Sequence, residues 1–319
     1  MGHHGGMRIP GTDLDVSRLC LGGNVFGWTA DRSASFDVLD RYFEAGGRFV
    51  DTADMYSCWV DGNVGGESET ILGEWMAARG NRDAMVVATK VGKLPTRLGL
   101  DPANVRQAAA DSLRRLGTDY IDLYYAHADD PDVPIIDALQ GLDALVRSGQ
   151  VRAIAASNYE ADRLAEALAT SDREGLARFV ALQQHYNLME RSEFEGPLRD
   201  VCQAAGLVTF PYFSLARGFL SGKYRSGEAA GPQTSGPRAN DARAYLTPRG
   251  EAVLAALGDI AAQRGTTMSA VALAWLAAQP TVAAPIASAR SVEQLDELLP
   301  SLTLELSAAE CAALDAASA

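Results

Sequence analysis

The feature that most constrains this chain is a repeat of eight short apolar runs, each followed by a longer stretch of helical character. The runs are Arg18–Leu21, Arg48–Val50, Met85–Ala88, Ile121–Tyr125, Val151–Ala155, Phe179–Leu182, Leu207–Phe210 and Val282–Ile286. They do not alternate apolar with polar residues, and turn signals bound them, as expected of strands buried on both faces of a parallel sheet. The intervening stretches are Ser33–Ala45, Glu67–Arg79, Pro102–Leu116, Ile135–Ser148, Glu160–Ala169, Glu193–Ala205, Arg249–Gln263, Ser269–Gln279, Ser291–Leu299 and Ser307–Ala317. Ser68 reads as a cap for the second, Asp101-Pro102 as an N-cap and N1 pair for the third, and Gly149 as a stop for the fourth. Eight β/α units in 319 residues predict one closed barrel. No Gly-x-Gly-x-x-Gly follows the first run, which disfavours a doubly wound sheet. The expected fold is an α/β (β/α)8 TIM barrel forming a single domain over 1–319. A short hairpin at Arg8–Val16, turning at Gly11, precedes it, and a C-terminal helix closes it. Residues 1–6 read as a flexible or appended start, and 225–245, rich in Gly, Pro, Ser and Ala, as a mobile loop.

Composition narrows the function. With 28 basic and 41 acidic residues the net charge is −13, which argues against nucleic acid or an anionic membrane as a partner. No apolar stretch approaches a membrane span, and the start of the chain lacks the apolar region of a signal peptide. Four scattered cysteines read as thiols in a reducing cytoplasm, and four histidines without ligand spacing predict no metal.

In barrels of this kind the site lies at the C-terminal ends of the strands. Reading those ends gives Asp51 with Tyr56 close behind, then Lys90, His127, Ser157 and Asn158, Gln183, Tyr212, and Ser288 with Arg290. Hydrogen-bonding or ionisable groups on so many successive ends of one rim suit acid catalysis at a carbonyl. An ammonium at Lys90 favours the phenolate of Tyr56, Asp51 holds that ammonium, and His127 orients the carbonyl. Lysine is scarce here: three of the 28 basic residues, at 90, 93 and 223, which hints at a need for a compact ammonium where it persists.

Several motifs resemble those of the aldo-keto reductase family, including its bacterial members and the related potassium-channel β-subunits. They are Phe49-Val50-Asp51-Thr52-Ala53-Asp54-Met55-Tyr56, Gly66-Glu67-Ser68-Glu69, Ala88-Thr89-Lys90-Val91-Gly92, Asp119 through His127, Gly149-Gln150-Val151-Arg152 and Ser157-Asn158-Tyr159. The similarity runs from about Leu21 to Glu297. It implies an NADP-dependent oxidoreductase that reduces an aldehyde or ketone with NADPH, using Asp51, Tyr56, Lys90 and His127 as its catalytic four. It also implies that Gly23 belongs to the cofactor site, that Ser157, Asn158 and Gln183 hold the nicotinamide carboxamide, and that Tyr212 stacks on the ring. By the same resemblance Phe213, Ser214, Leu215, Arg217, Gly222 and Lys223 cover the pyrophosphate, and Ser288, Arg290 and Gln294 meet the adenosine end. Arg290 is the candidate for a ribose 2′-phosphate. The chain departs from the family pattern at Phe213-Ser214-Leu215, at Ile286-Ala287-Ser288 and at Leu298. Trp28, Trp59 and Phe219 are expected to line a substrate pocket for apolar or aromatic carbonyls. Two alternatives stay open: an NADPH-binding regulatory subunit with little turnover, and an aldolase-like barrel using Lys90 as a Schiff base. The partner expected is a small carbonyl substrate; no protein partner is legible.

Overall fold

The structure, a computed structural model, describes residues 6–224 and 239–319. Eight parallel strands follow one another around the sheet: β1 (Cys20–Gly22), β2 (Phe49–Asp51), β3 (Val86–Val91), β4 (Ile121–Ala126), β5 (Val151–Ser157), β6 (Phe179–Gln183), β7 (Val208–Thr209) and β8 (Ile286–Ala287). β8 pairs with β1 through Ile286 and Cys20. The ring closes between β7 and β8 through backbone bonds from Thr209 to the Thr281 carbonyl (2.8 Å), from Ala283 to the Thr209 carbonyl (3.0 Å) and from Ile286 to the Pro211 carbonyl (2.8 Å). The chain is therefore the expected (β/α)8 barrel. The eighth strand is shorter and later than Val282–Ile286, because Pro285 has no N–H to give the ladder and Val282 makes only a single bridge to Thr209.

Burial on both strand faces creates two cores. Outward residues pack under the helices. Inward residues, among them Phe49, Ala88, Tyr125, Ala153, Ala181 and Phe210, fill the barrel. Alanines opposite aromatics allow this; the Phe49 and Phe210 rings meet edge-to-face at 5.0 Å. The predicted hairpin is present, pairing Met7–Arg8 with Asp15–Val16. It contributes Ile9, Leu14 and Val16 to the barrel interior, so it plugs the end where the strands begin. With that end filled, the opening lies at the other rim.

Around the barrel run α1 (Arg32–Glu44), α2 (Glu67–Arg79), α3 (Pro102–Leu116), α4 (Ile135–Arg147), α5 (Ala161–Glu174), α6 (Pro197–Ala205), α7 (Ala239–Arg243), α8 (Pro248–Arg264), α9 (Met268–Ala277), α10 (Val292–Leu298) and α11 (Ala308–Ser318). Asp101 caps α3 as expected, its carboxylate accepting from Ala103 N at 2.8 Å. Ser68 does not cap α2. It lies inside that helix, and its hydroxyl donates to the Gly23 carbonyl and meets the Thr52 hydroxyl, both at 2.8 Å. The helix instead begins after Gly66, whose φ of 88° is left-handed, and the Glu67 carboxylate reaches back to the N–H groups of Val64 and Gly65. α6 starts at Pro197 rather than Glu193, since a proline ring bars the helical turn before it. Of the two segments expected to be mobile, residues 1–5 and 225–238 lie outside the described residues, while 239–243 form α7. None of the described helices is long and apolar enough to cross a membrane.

Candidate active site

Side chains alternate along a strand, so the interior residues Phe49, Ala88, Tyr125, Ala155 and Ala181 are each followed two positions later by Asp51, Lys90, His127, Ser157 and Gln183. The core thus gives way to a polar layer at the rim. The two ions of this layer meet at its centre: Lys90 Nζ lies 2.6 Å from Asp51 Oδ2, with the lysine wholly buried and the aspartate 2% exposed. Lys90 Nζ also donates to the Thr52 carbonyl and to the Tyr56 hydroxyl, both at 2.8 Å. The Tyr56 hydroxyl stands 3.1 Å from Asp51 Oδ2, and Gln183 Nε2 donates to the other Asp51 oxygen at 2.9 Å. The loop after β2 carries Tyr56 into this cluster by a turn closed from Tyr56 N to the Ala53 carbonyl. Ser57 then reverses the chain with φ 70°, held by a hydroxyl bond to the Phe26 carbonyl at 2.7 Å.

Burial pulls Lys90 below the ordinary lysine value, while the Asp51 carboxylate opposes that pull. His127, 6.2 Å from Tyr56 between ring centroids, is pushed well below the usual histidine value, chiefly by burial and then by Lys90 and Lys93. Its imidazole is therefore neutral near pH 7. Its Nδ1 is buried and has no hydrogen-bond partner among the described residues.

A second group of side chains continues along the rim. Asn158, at φ 55°, donates to the His127 carbonyl at 2.8 Å and accepts from the Tyr212 hydroxyl at 2.7 Å. Tyr212 lies parallel to the His185 ring, with centroids 5.5 Å apart and planes 13° apart. The segment after Tyr212 turns through left-handed residues at Phe213, Ala216, Arg217 and Gly218. Arg217 is held by Asp241 at 2.7 Å and sits over the Phe213 ring. Farther along, Ser288 Oγ donates to Asn24 Oδ1 at 2.6 Å and Gln294 accepts from Arg290 N at 3.2 Å. Arg290 and Lys223 have no ion-pair partner among the described residues, and Arg290 helps burial lower the Lys223 ammonium.

Together these residues line one cleft of about 470 Å³. It runs from Trp28, Trp59, Tyr56, Lys93 and His127 to Tyr212, Lys223 and Arg290. Asp51, Ser157, Asn158, Gln183, Phe213, Ser214, Leu215, Arg217, Ser288 and Gln294 also border it, and Lys90 reaches it through Tyr56. Besides Lys90, three expected residues do not line it. Phe219 is wholly buried against Tyr245, because the loop carrying it folds back onto the helix layer. Gly23 is backbone packing: a methyl there would meet the Ser68 hydroxyl and the Asp51 carbonyl, and Gly22 takes its place in the lining. Gly222, at φ 76°, packs on Met268. Lys93, Met55, Val25 and Asn24 line the cleft without having been legible as site residues. Only the rarity of lysine pointed to Lys93.

Comparison with known proteins agrees with this architecture. The model of the Aldo/keto reductase family matches residues 18–319. The chain is 33% identical to Protein tas of Escherichia coli, with 94% of this chain and 93% of that protein covered. It is 34% identical to the norsolorinic acid reductase stcV of Emericella nidulans, covering 96% of this chain and 79% of that one. It is also 34% identical to the uncharacterized oxidoreductase YrpG of Bacillus subtilis, covering 92% and 90%. With the barrel intact and the match spanning nearly its whole length, the chain belongs to the aldo/keto reductase family of oxidoreductases.

Proposed function

We propose that the protein reduces an aldehyde or ketone with NADPH, with Tyr56 as the proton donor. The observation that carries this reading is the array in which the Tyr56 hydroxyl lies 2.8 Å from Lys90 Nζ, itself 2.6 Å from Asp51. The cleft residues fit a phosphorylated nicotinamide dinucleotide. Lys223 and Arg290 offer two cations without ion-pair partners among the described residues, Asn158 and Gln183 offer amides at the strand ends, and Tyr212 offers a flat ring braced by His185. Lys223 and Arg290 would hold phosphate groups, and Tyr212, Asn158, Gln183 and Ser157 the nicotinamide end. When bound, NADPH supplies the hydride.

The chain's own residues do the rest. A carbonyl oxygen seated between Tyr56 and His127 receives the Tyr56 proton as charge builds on it. The phenolate left behind is stabilised by the Lys90 ammonium, whose position Asp51, the Thr52 carbonyl and Tyr56 together fix. A neutral His127 donates one N–H without bringing a charge that would compete with Lys90. Gln183 keeps Asp51 from turning toward Tyr56 alone by holding its second oxygen.

The test is a Tyr56→Phe variant, titrated with NADPH by fluorescence and assayed on a panel of carbonyls. Cofactor affinity should change little, and turnover should fall by about 10²–10⁴-fold, the usual worth of a positioned general acid. Undiminished turnover removes Tyr56 from the role. Tight NADPH binding by the wild type with no turnover on any carbonyl favours a regulatory subunit instead.

A further inference from the structure

Lys93 is a cation that the reading above leaves unused. It follows Gly92, whose φ of 111° turns the chain over the rim, and it opens a small hairpin pairing Lys93–Leu94 with Arg97–Leu98. This hairpin holds the lysine against the cleft, where it borders the space shared with Trp28, Trp59, Tyr56 and His127. Among the described residues it has no carboxylate within 4.0 Å and no side-chain hydrogen bond, although it is only partly exposed. A partly desolvated ammonium without a partner is costly, and an anion brought by a ligand offsets that cost.

The two ends of the cleft keep separate cations. Lys223 and Arg290 act on each other, whereas Lys93 acts on Lys90 and His127. Lys93 therefore faces whatever sits beside the proton donor, not the phosphate end. Its neighbours there are aromatic. Trp28 and Trp59 meet edge-to-face at 5.4 Å, and Trp59 approaches Tyr56 at 6.2 Å. Trp59 is 44% exposed, a large indole left uncovered on the rim of a cleft. Composition adds an independent point. In a chain with 25 arginines among 28 basic residues, arginine is the default surface cation, yet two of the three lysines border this cleft and the third, Lys90, touches Tyr56 behind it. Lysine's ammonium is a compact point charge on a flexible stem, which fits a confined space that arginine's planar fork would not.

From this juxtaposition we infer that the substrate, on the carbonyl-reductase reading above, is an aromatic aldehyde or ketone carrying an acidic group. Its rings lie against Trp28 and Trp59, its carbonyl faces Tyr56, and its anion rests on Lys93. Two probes of the same ring system, 2-naphthaldehyde and 6-formyl-2-naphthoic acid, test it with NADPH in the wild type, Lys93→Met and Lys93→Arg. In the wild type kcat/KM should favour the acid by roughly 10-fold or more, the worth of one charge-assisted hydrogen bond. The ratio should collapse toward one in Lys93→Met and recover in part in Lys93→Arg. Binding is read separately, by quenching of tryptophan fluorescence with 2-naphthoate and with the uncharged 2-naphthalenemethanol in the presence of NADP+; the same preference and the same loss are expected. A wild type that treats the two probes alike, or a preference that survives in Lys93→Met, overturns the inference. If neither aldehyde is reduced, the inferred substrate class fails, while the quenching ratio still decides whether Lys93 binds an anion and the carbonyl panel above decides the reductase reading.

Discussion

Asp54 is wholly buried three residues past the end of β2, and no side chain hydrogen-bonds either of its carboxylate oxygens among the described residues. The groups around it include Glu69 from α2, Arg115 from α3, Arg97 from the rim hairpin, Lys90, Cys58 and the Tyr124 hydroxyl from β4, the last also buried and unpartnered among the described residues. Glu69 is already committed to Thr89 and Arg115, each at 2.6 Å. Burial first, and Glu69 second, push the Asp54 carboxyl up to about 7, against the smaller pull of Arg115, Arg97 and the Met55 N–H. The unfolded chain releases this proton near pH 4, so between about 4 and 7 the folded chain keeps a proton that the unfolded chain has lost. The stability tied to this group is complete below pH ~4 and disappears as pH rises through about 7. A shift of roughly three units corresponds to about 4 kcal/mol in all, of which some 2.5 kcal/mol falls between pH ~5 and ~8. Asp54→Asn removes the titration and keeps the shape of the neutral acid. Urea unfolding of wild type and variant across that range should show the variant gaining on the wild type as pH rises, by about 2.5 kcal/mol. Any constant effect of the amide cancels in this difference. Stability profiles that run parallel across the range would refute the reasoning, because Asp54 would then be ionised in the folded chain throughout.

Two further substitutions probe other parts of the argument. Arg290→Leu removes a cation that has no ion-pair partner among the described residues; it should raise the Kd for NADPH by roughly 10-fold or more and leave that for NADH nearly unchanged, as read by fluorescence titration. Gly73→Ala places a methyl against the Arg115 carbonyl where α2 crosses α3, and backbone cannot yield as a side-chain tip can. Unfolding should show a loss of about 1–3 kcal/mol, the usual cost of overpacking, and a neutral result would mean that the two helices are free to separate.

The barrel was legible because parallel strands buried on both faces write themselves as continuous apolar runs, and because turn and cap residues separate the runs. What blurred was local chemistry that only packing decides. Ser68 has the side chain of a helix cap, but Gly23 and Thr52 lie close enough to take its hydroxyl, and Gly66 with Glu67 starts the helix instead. Pro285 shortens the last strand, and Pro197 delays the sixth helix. In the site, Asp51, Lys90, His127, Ser157 and Gln183 could be read because strand period and strand end together fix where they point. Residues on loops lacked that constraint. Trp28 and Trp59 do reach the cleft, whereas Phe219 is drawn under α8, where it meets Tyr245. The Asn158 bonds to His127 and Tyr212 join three strand ends, and no spacing in the sequence announces them.

The net charge conceals local differences in sign. With a net charge of −13 the protein as a whole repels anions, yet Lys93, Lys223 and Arg290 face one cleft without ion-pair partners among the described residues. Exposed arginines elsewhere are spent on pairs such as Arg8 with Asp15 and Arg264 with Glu310. Such surface pairs add little stability, and arginines such as Arg106 and Arg199 also stand outside any ion pair among the described residues, so the cleft is one of several places where cations lack a carboxylate. Screening at physiological salt confines the repulsion of the acidic exterior to roughly 8 Å. An anion that comes within the cleft therefore meets the local cations at close range and feels the distant carboxylates weakly. The cost of holding like charges beside one another in the empty cleft is returned when anionic ligands occupy it, so binding and folding reinforce each other. If the proposed function and the inference about Lys93 hold, these cations would meet two anionic ligands: a dinucleotide phosphate at Lys223 and Arg290, and an acidic substrate at Lys93.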